Sequence, residues 1–267
     1  MPSDDRLRDV PEPHRSFLSR GVDALAADPR IVGVAGGGSL VTGGMDEFSD
    51  LDLVVAVEPA AHAQVMVDRR RIAASVGTLL IAFTGEHVGE PRLLICLYDE
   101  PLLHVDLKFV SLPDVAVRVE DPIVLWERDG RLTRALGEGR AEYPAPDPQW
   151  IEDRFWVWVH YVAGKIGRGE LFEAIEAVGL MRTLALGPLA LLRHGARPTG
   201  VRRIERLAPA AAHQLRHTVS RHDRDECAAA LRAAVDVYRS LRAADVERRT
   251  DAERAAMQYL SRVEESA

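Results

Sequence analysis

Two aspartates one residue apart, Asp50 and Asp52, head an apolar segment, Asp50-Leu51-Asp52-Leu53-Val54-Val55-Ala56-Val57. Apolar and β-branched residues in a short run predict a strand. On a strand, residues i and i+2 share a face about 6.6–6.8 Å apart. Asp50 and Asp52 therefore project together, and Leu51 and Leu53 enter the opposite layer. Side-by-side carboxylates repel, and burial adds to the cost. The pair calls for a neutralising partner, and its hard oxygen donors suit Mg²⁺. Upstream stands a Gly-Ser turn, Gly38-Ser39, in a glycine-rich stretch. Glycine lets the backbone approach a ligand closely, and successive N–H groups in a turn can form an anion-binding concavity. A phosphate cradle beside paired metal-binding carboxylates points to a magnesium nucleotide.

This arrangement resembles the signature of the DNA polymerase beta-like nucleotidyltransferases: Gly-Ser, a spacer of similar length, then Asp-apolar-Asp-apolar. Within that superfamily it is most similar to the antibiotic nucleotidyltransferases that adenylylate aminoglycosides and lincosamides. The resemblance is clearest over residues 31–110 and diffuse over 150–206. It implies a third carboxylate, for which Asp106 in the run Leu103-His104-Val105-Asp106-Leu107 is the match. Three carboxylates could hold two Mg²⁺ ions roughly 3.5–4 Å apart, a spacing suited to in-line displacement at phosphorus. By the same resemblance Gly38 and Ser39 would bind the β- and γ-phosphates of ATP or another NTP. Asp106 would sit nearest the acceptor hydroxyl as metal ligand, general base or both. A lysine from a following helical domain would reach the triphosphate; by position that is Lys165, with Arg168 and Arg182 weaker choices. Lys108 shares a face with Asp106 and could offset its charge or touch a phosphate. His104 lies on that face too, with no role assigned. Glu152 and Asp153, beside the aromatic residues Trp150, Phe155, Trp156, Trp158 and Tyr161, could line an acceptor pocket.

The implied activity is transfer of NMP, as AMP from ATP, to a hydroxyl of a small molecule, with release of pyrophosphate. The rival readings are a nucleotidyltransferase that modifies a protein or RNA, and a nucleotide-binding module without turnover. Two other glycine-rich motifs are excluded by the residues. No Gly-Lys-Ser/Thr follows the loop, so it is not a P-loop, and Val41 stands where a dinucleotide fingerprint starting at Gly36 needs glycine.

The elements that would position these residues can be read in order. Residues 14–27 carry helical apolar spacing through Phe17, Leu18, Val22 and Leu25, and residues 60–76 do so through Val65, Met66 and Ile72. Strands are expected at 31–35, 51–57, 78–86, 92–98 and 102–110, with a short turn or half-helix at 40–42. The last strand alternates: Leu103, Val105, Leu107 and Phe109 face one way, and His104, Asp106 and Lys108 the other. Residues 137–149 are rich in proline and glycine and read as a linker. Beyond it helices are expected at 150–166, 169–194, 201–221 in one or two pieces, 223–244 and 248–265. The expected fold is α+β: an N-terminal nucleotidyltransferase domain (1–145) with a mixed sheet flanked by helices, then an all-helical substrate-binding domain (146–267), with the active site in the cleft between them.

Composition sets the boundaries. The 267 residues carry a net charge of −7, and 47% are hydrophobic, as in ordinary globular chains. Residues 1–150 hold 25 acidic and 15 basic side chains, and the rest hold 16 and 19. An acidic front half disfavours a nucleic-acid partner and favours a cationic acceptor. Of 34 basic residues only Lys108 and Lys165 are lysine. Two cysteines, Cys96 in an apolar run and Cys227, make neither a disulfide framework nor a zinc site. No apolar run reaches the length needed to span a bilayer, and the polar N-terminus lacks a signal-peptide core. The expected location is cytoplasmic.

Overall fold

The computed structural model describes residues 9–266. The first eight residues, part of the polar N-terminus read above, lie outside the described residues. The chain packs as two units, one ending at Tyr143 and the other beginning at Pro144.

The first unit is built on a six-stranded sheet: β1 (Ile31–Gly36), β2 (Leu51–Val57), β3 (Thr78–Gly85), β4 (Glu90–Asp99), β5 (Leu103–Ser111) and β6 (Ile123–Glu127). Its order is β3-β4-β5-β2-β1-β6. Every pairing is antiparallel except β2 with β5, which is parallel. A parallel pair needs a long crossover, supplied here by a helix and the β3–β4 hairpin. The helices of this unit are α1 (Glu12–Ala26), the one-turn α2 (Ser39–Thr42), α3 (His62–Val76) and α4 (Arg131–Gly137).

The period-two pattern decides what each face does. Leu51, Leu53, Val55 and Val57 of β2 and Leu103, Val105, Leu107 and Phe109 of β5 all enter one core, with Phe17, Leu18 and Leu25 of α1 and Val65 and Ile72 of α3. Each fully buried side chain of this size contributes roughly 1.5–3 kcal/mol. The other face is covered only in part. Val32, Ala35, Ala56, Val110, Leu112, Leu132 and Ala135 form a smaller cluster there, under α4 and the 3₁₀ turn Leu112–Ala116. Ala56 and Val110 belong to that cluster, while Asp52 and Asp106 lie four residues earlier on the same faces of the same two strands. The carboxylates therefore occupy the stretch of this face that the small cluster leaves uncovered.

The second unit is helical: α5 (Pro148–Gly167), α6 (Leu171–Met181), a π-helical segment (Arg182–Leu186), α7 (Gly187–Arg193), α8 (Ile204–Leu207), α9 (Pro209–Arg216), α10 (Arg224–Leu241) and α11 (Thr250–Glu265). Its own core runs from Ile151 to Val263. Asp147 caps α5 by accepting from the Gln149 and Trp150 amides, and Asp223 caps α10 by accepting from Glu226 N–H. One sequence expectation needs correcting. The continuous helical run Leu171–Arg193 is long and apolar enough to cross a membrane. Ala174, Val178, Met181, Ala185, Leu186, Ala190 and Leu191 of that run are buried in the helical core.

The fold is α+β, a mixed sheet flanked by helices followed by a helical unit. Strand β6 and helix α4 are additions to the elements expected from sequence.

Candidate active site

Parallel pairing places Asp52 directly beside Asp106, on neighbouring strands that run about 4.8 Å apart. Asp50 immediately precedes β2 and is half-buried. Its approach is fixed from α1: the buried His14 donates Nε2–H to the Ser49 carbonyl at 2.8 Å.

The Gly-Ser turn folds onto the same edge. Gly37 N–H donates to the Asp52 carbonyl at 2.8 Å. Gly38 has φ +57°, and a Cβ added there would stand 2.0 Å from Asp52 Oδ2. Only glycine allows the backbone to take this conformation and lie against the carboxylate. Ser39 is 5% exposed, and its Oγ is buried with no hydrogen-bond partner. An unpartnered buried hydroxyl costs roughly 1–3 kcal/mol, which a ligand oxygen would relieve. The Gly38 N–H donates to Glu120 Oε1 at 2.6 Å. That amide already holds a carboxylate, as an anion-binding backbone group would.

Asp106 is mostly buried, with 18% of its side chain exposed, and its Oδ1 lies 2.9 Å from His104 Nε2. Burial pushes the Asp106 carboxyl above the usual range; the His104 contact opposes that shift, and the Asp50 charge adds to it. A carboxyl displaced this way is the kind found where a proton is moved. Among the described residues, no three His, Cys, Asp or Glu side chains converge closely enough to enclose a metal ion. The expected three-carboxylate cage is therefore not closed: Asp52 and Asp106 are neighbours, and Asp106 is turned to His104. The donor set still fits magnesium in kind, being carboxylate oxygens beside an unsatisfied hydroxyl.

A hollow of about 270 Å³ opens against this edge, lined by Glu47, Phe48, Ser49, Asp50, Leu102, Leu103 and His104. Phe48 and Leu102 are 87% and 66% exposed there.

Of the cations expected at the triphosphate, Lys108, Lys165 and Arg168 are engaged by glutamates. Lys108 Nζ is 2.8 Å from Glu90 Oε2, so it pairs across the sheet with β4 and not with Asp106. Lys165 Nζ lies 2.7 Å from Glu170 and 2.8 Å from Glu173. Arg168 Nε is 2.8 Å from Glu170. Arg182 donates to the Thr218 carbonyl and hydroxyl, and burial lowers its pKa. Glu152 lines no open pocket, whereas Asp153 lies at the surface in an ion pair. Glu152 is fully buried, and Asp153 is held by Arg249 at 2.7 Å.

The Glu90 pairs give a stability prediction. Arg92 donates to Glu90 through Nε and Nη2, both at 2.7 Å. Arg92 above all, against burial and with help from Lys108, holds the Glu90 carboxyl down at about 2, against an ordinary 4.5. A depressed carboxylate stabilises the fold above its unfolded value and loses that contribution as the pH falls toward its folded value. Partial exposure limits the effect to about 1 kcal/mol. Glu90→Gln is expected to lower the melting temperature near neutral pH and to converge with the parent as the pH drops from 4.5 toward 2. Scanning calorimetry across that range checks it, and parallel curves at every pH would count against it.

Glu120 and His14 were not singled out from sequence. Glu120 reaches Gly38 across 82 positions, and no local pattern signals such a contact.

No protein-family model matches the chain, and none of the curated proteins matches it. Solved structures do. An aminoglycoside 6-adenyltransferase from Bacillus subtilis is 15% identical over 92% of this chain and 97% of its own, with a TM-score of 0.39. A nucleotidyltransferase-like protein from Exiguobacterium sibiricum 255-15 is 15% identical over 86% of this chain and 74% of its own, with a TM-score of 0.36.

Proposed function

We propose that the chain is a magnesium-dependent nucleotidyltransferase that moves NMP, as AMP from ATP, to a hydroxyl of a small molecule. The observation that carries this reading is the juxtaposition of Asp52 and Asp106 in register beside a Gly38–Ser39 turn with an unsatisfied buried hydroxyl.

Asp50, Asp52 and Asp106 would hold magnesium, which when bound supplies charge neutralisation at the triphosphate. Gly38 N–H and Ser39 Oγ donate to phosphate oxygens. Asp106, with its raised pKa and its His104 partner, takes the proton from the acceptor hydroxyl. The acceptor oxygen bonds to the α-phosphorus, the α–β bridging bond breaks, and pyrophosphate leaves. Positioning and charge placement account for most of the acceleration.

The hollow beside Asp50 and His104 gives the acceptor a place to sit. Carboxylates at Glu47 and Asp50 and an exposed apolar ring at Phe48 suit a hydroxylated cation with an apolar face. An aminoglycoside or a lincosamide has that chemistry.

The test is incubation with α-labelled ATP, magnesium and a panel of aminoglycosides, lincosamides, RNA and protein. Label on a small molecule, with pyrophosphate released in equal amount, is the expected result. Label on RNA or protein alone would replace the acceptor class. The absence of both label transfer and pyrophosphate release across the panel, with each of the other three α-labelled nucleotides tried in place of ATP, would overturn the reading.

A further inference from the structure

We propose that Glu120 is a specificity-determining residue of the phosphate cradle: its carboxylate occupies the anion position at the Gly38 amide and admits only ligands charged enough to displace it. This rests on the reading of Gly38–Ser39 as the cradle. The 2.6 Å contact from Gly38 N–H to Glu120 Oε1 is a charge-assisted hydrogen bond, among the stronger kinds available to an amide. The same carboxylate oxygen would stand 2.9 Å from a Cβ added at Gly37, so it lies over both glycines of the turn.

The backbone that carries Glu120 is pinned on both sides. Arg118 and Ala141 form a bridge, Arg118 pairs with Asp121 at 2.6 Å, and Arg118 also donates to the carbonyls of Ala116 and Gly139. Beyond it, Ile123 enters β6 and pairs with Gly36. Displacement is then a side-chain rotation, with the main chain left in place. The contact sets an acidic side chain within the acidic Asp52–Gly38 neighbourhood, where every entering anion must compete with it. A polyphosphate accompanied by a cation displaces it; a singly or doubly charged anion gains too little.

The experiment is titration calorimetry of the full chain with inorganic pyrophosphate and with orthophosphate, magnesium being in excess. The parent, Glu120→Ala, Glu120→Gln and Glu120→Asp are compared. Glutamine is nearly isosteric, so it retains the fold if alanine does not. Alanine and glutamine are expected to bind pyrophosphate about 10-fold more tightly than the parent, and orthophosphate binding is expected to become measurable. Aspartate keeps the charge and is expected to stay near the parent. An NMR signature accompanies this: the Gly38 amide proton should shift upfield in Glu120→Gln, and in the parent it should move on titration with pyrophosphate. Unchanged or weaker pyrophosphate binding in the alanine and glutamine variants overturns the proposal, as does the absence of binding in every variant. The enzyme reading is judged separately, by label transfer and its loss in Asp52→Asn.

Discussion

Asp52→Asn is expected to slow nucleotidyl transfer by about 100- to 1000-fold, the loss usual when one preorganised electrostatic group is removed from a reacting centre. The fold should tolerate the change. Asp52 is half-buried and lies beside another carboxylate in register, so removing one charge relieves repulsion. Its main-chain carbonyl, which accepts from Gly37, is untouched. The melting temperature should hold within a few degrees. Steady-state rates and thermal melts on the same preparation check both halves. Transfer at the parent's rate would remove Asp52 from the chemistry. A collapse in melting temperature would make it a structural residue.

The second large effect falls in the helical unit. Glu152 of α5 is 0% exposed, yet it carries a carboxylate among apolar side chains. Burial alone would push its carboxyl up, but hydrogen bonds from Tyr238 OH, the Arg249 amide and Trp156 Nε1, with Arg242 nearby, bring it below the ordinary value. Trp156 Nε1 is 3.1 Å away, Arg249 N 2.9 Å and Arg242 Nη1 3.3 Å. One carboxylate thus ties α5 to α10 and to the start of α11. Removing one partner of a buried charged network costs about 3–5 kcal/mol, because the remaining donors lose their acceptor. Glu152→Ala is expected to lower the melting temperature by roughly 10 °C or more, with Glu152→Gln falling between. Far-UV circular dichroism on heating reads this, and a shift of only a degree or two would contradict it.

These two carboxylates also show what the sequence could reveal. Asp52 was legible because its strand alternates and because Gly38-Ser39 stands at the right distance; both signals are local. The strands β1 to β4 were legible as short apolar runs, β5 by its alternation, and the helices α1, α3, α5, α10 and α11 by helical spacing or strong helix formers. Glu152 was misread as a pocket residue. Its helical neighbour Trp156 is four positions away, but Tyr238 is 86 away, and only folding brings that hydroxyl to it. Strand β6 is five residues long, pairs only with β1 and has one buried residue, Leu125, so it has no alternation to read. Helix α4 is seven residues, too short to show a face clearly. Lys108 was placed on the correct face, but its partner Glu90 sits on an adjacent strand whose register the sequence does not set.

The parallel joint between β2 and β5 governs when the paired-carboxylate edge comes into being during folding. β1 with β2, and β3 with β4 and β5, are joined through neighbours in the chain and can zip locally. Asp52 and Asp106 are 54 positions apart, so their meeting waits on a long loop closure that repays its entropy only once the strands dock. Amide exchange should therefore find this seam protected only in the fully native chain, and a partly folded molecule would form its hairpins with Asp52 and Asp106 still apart.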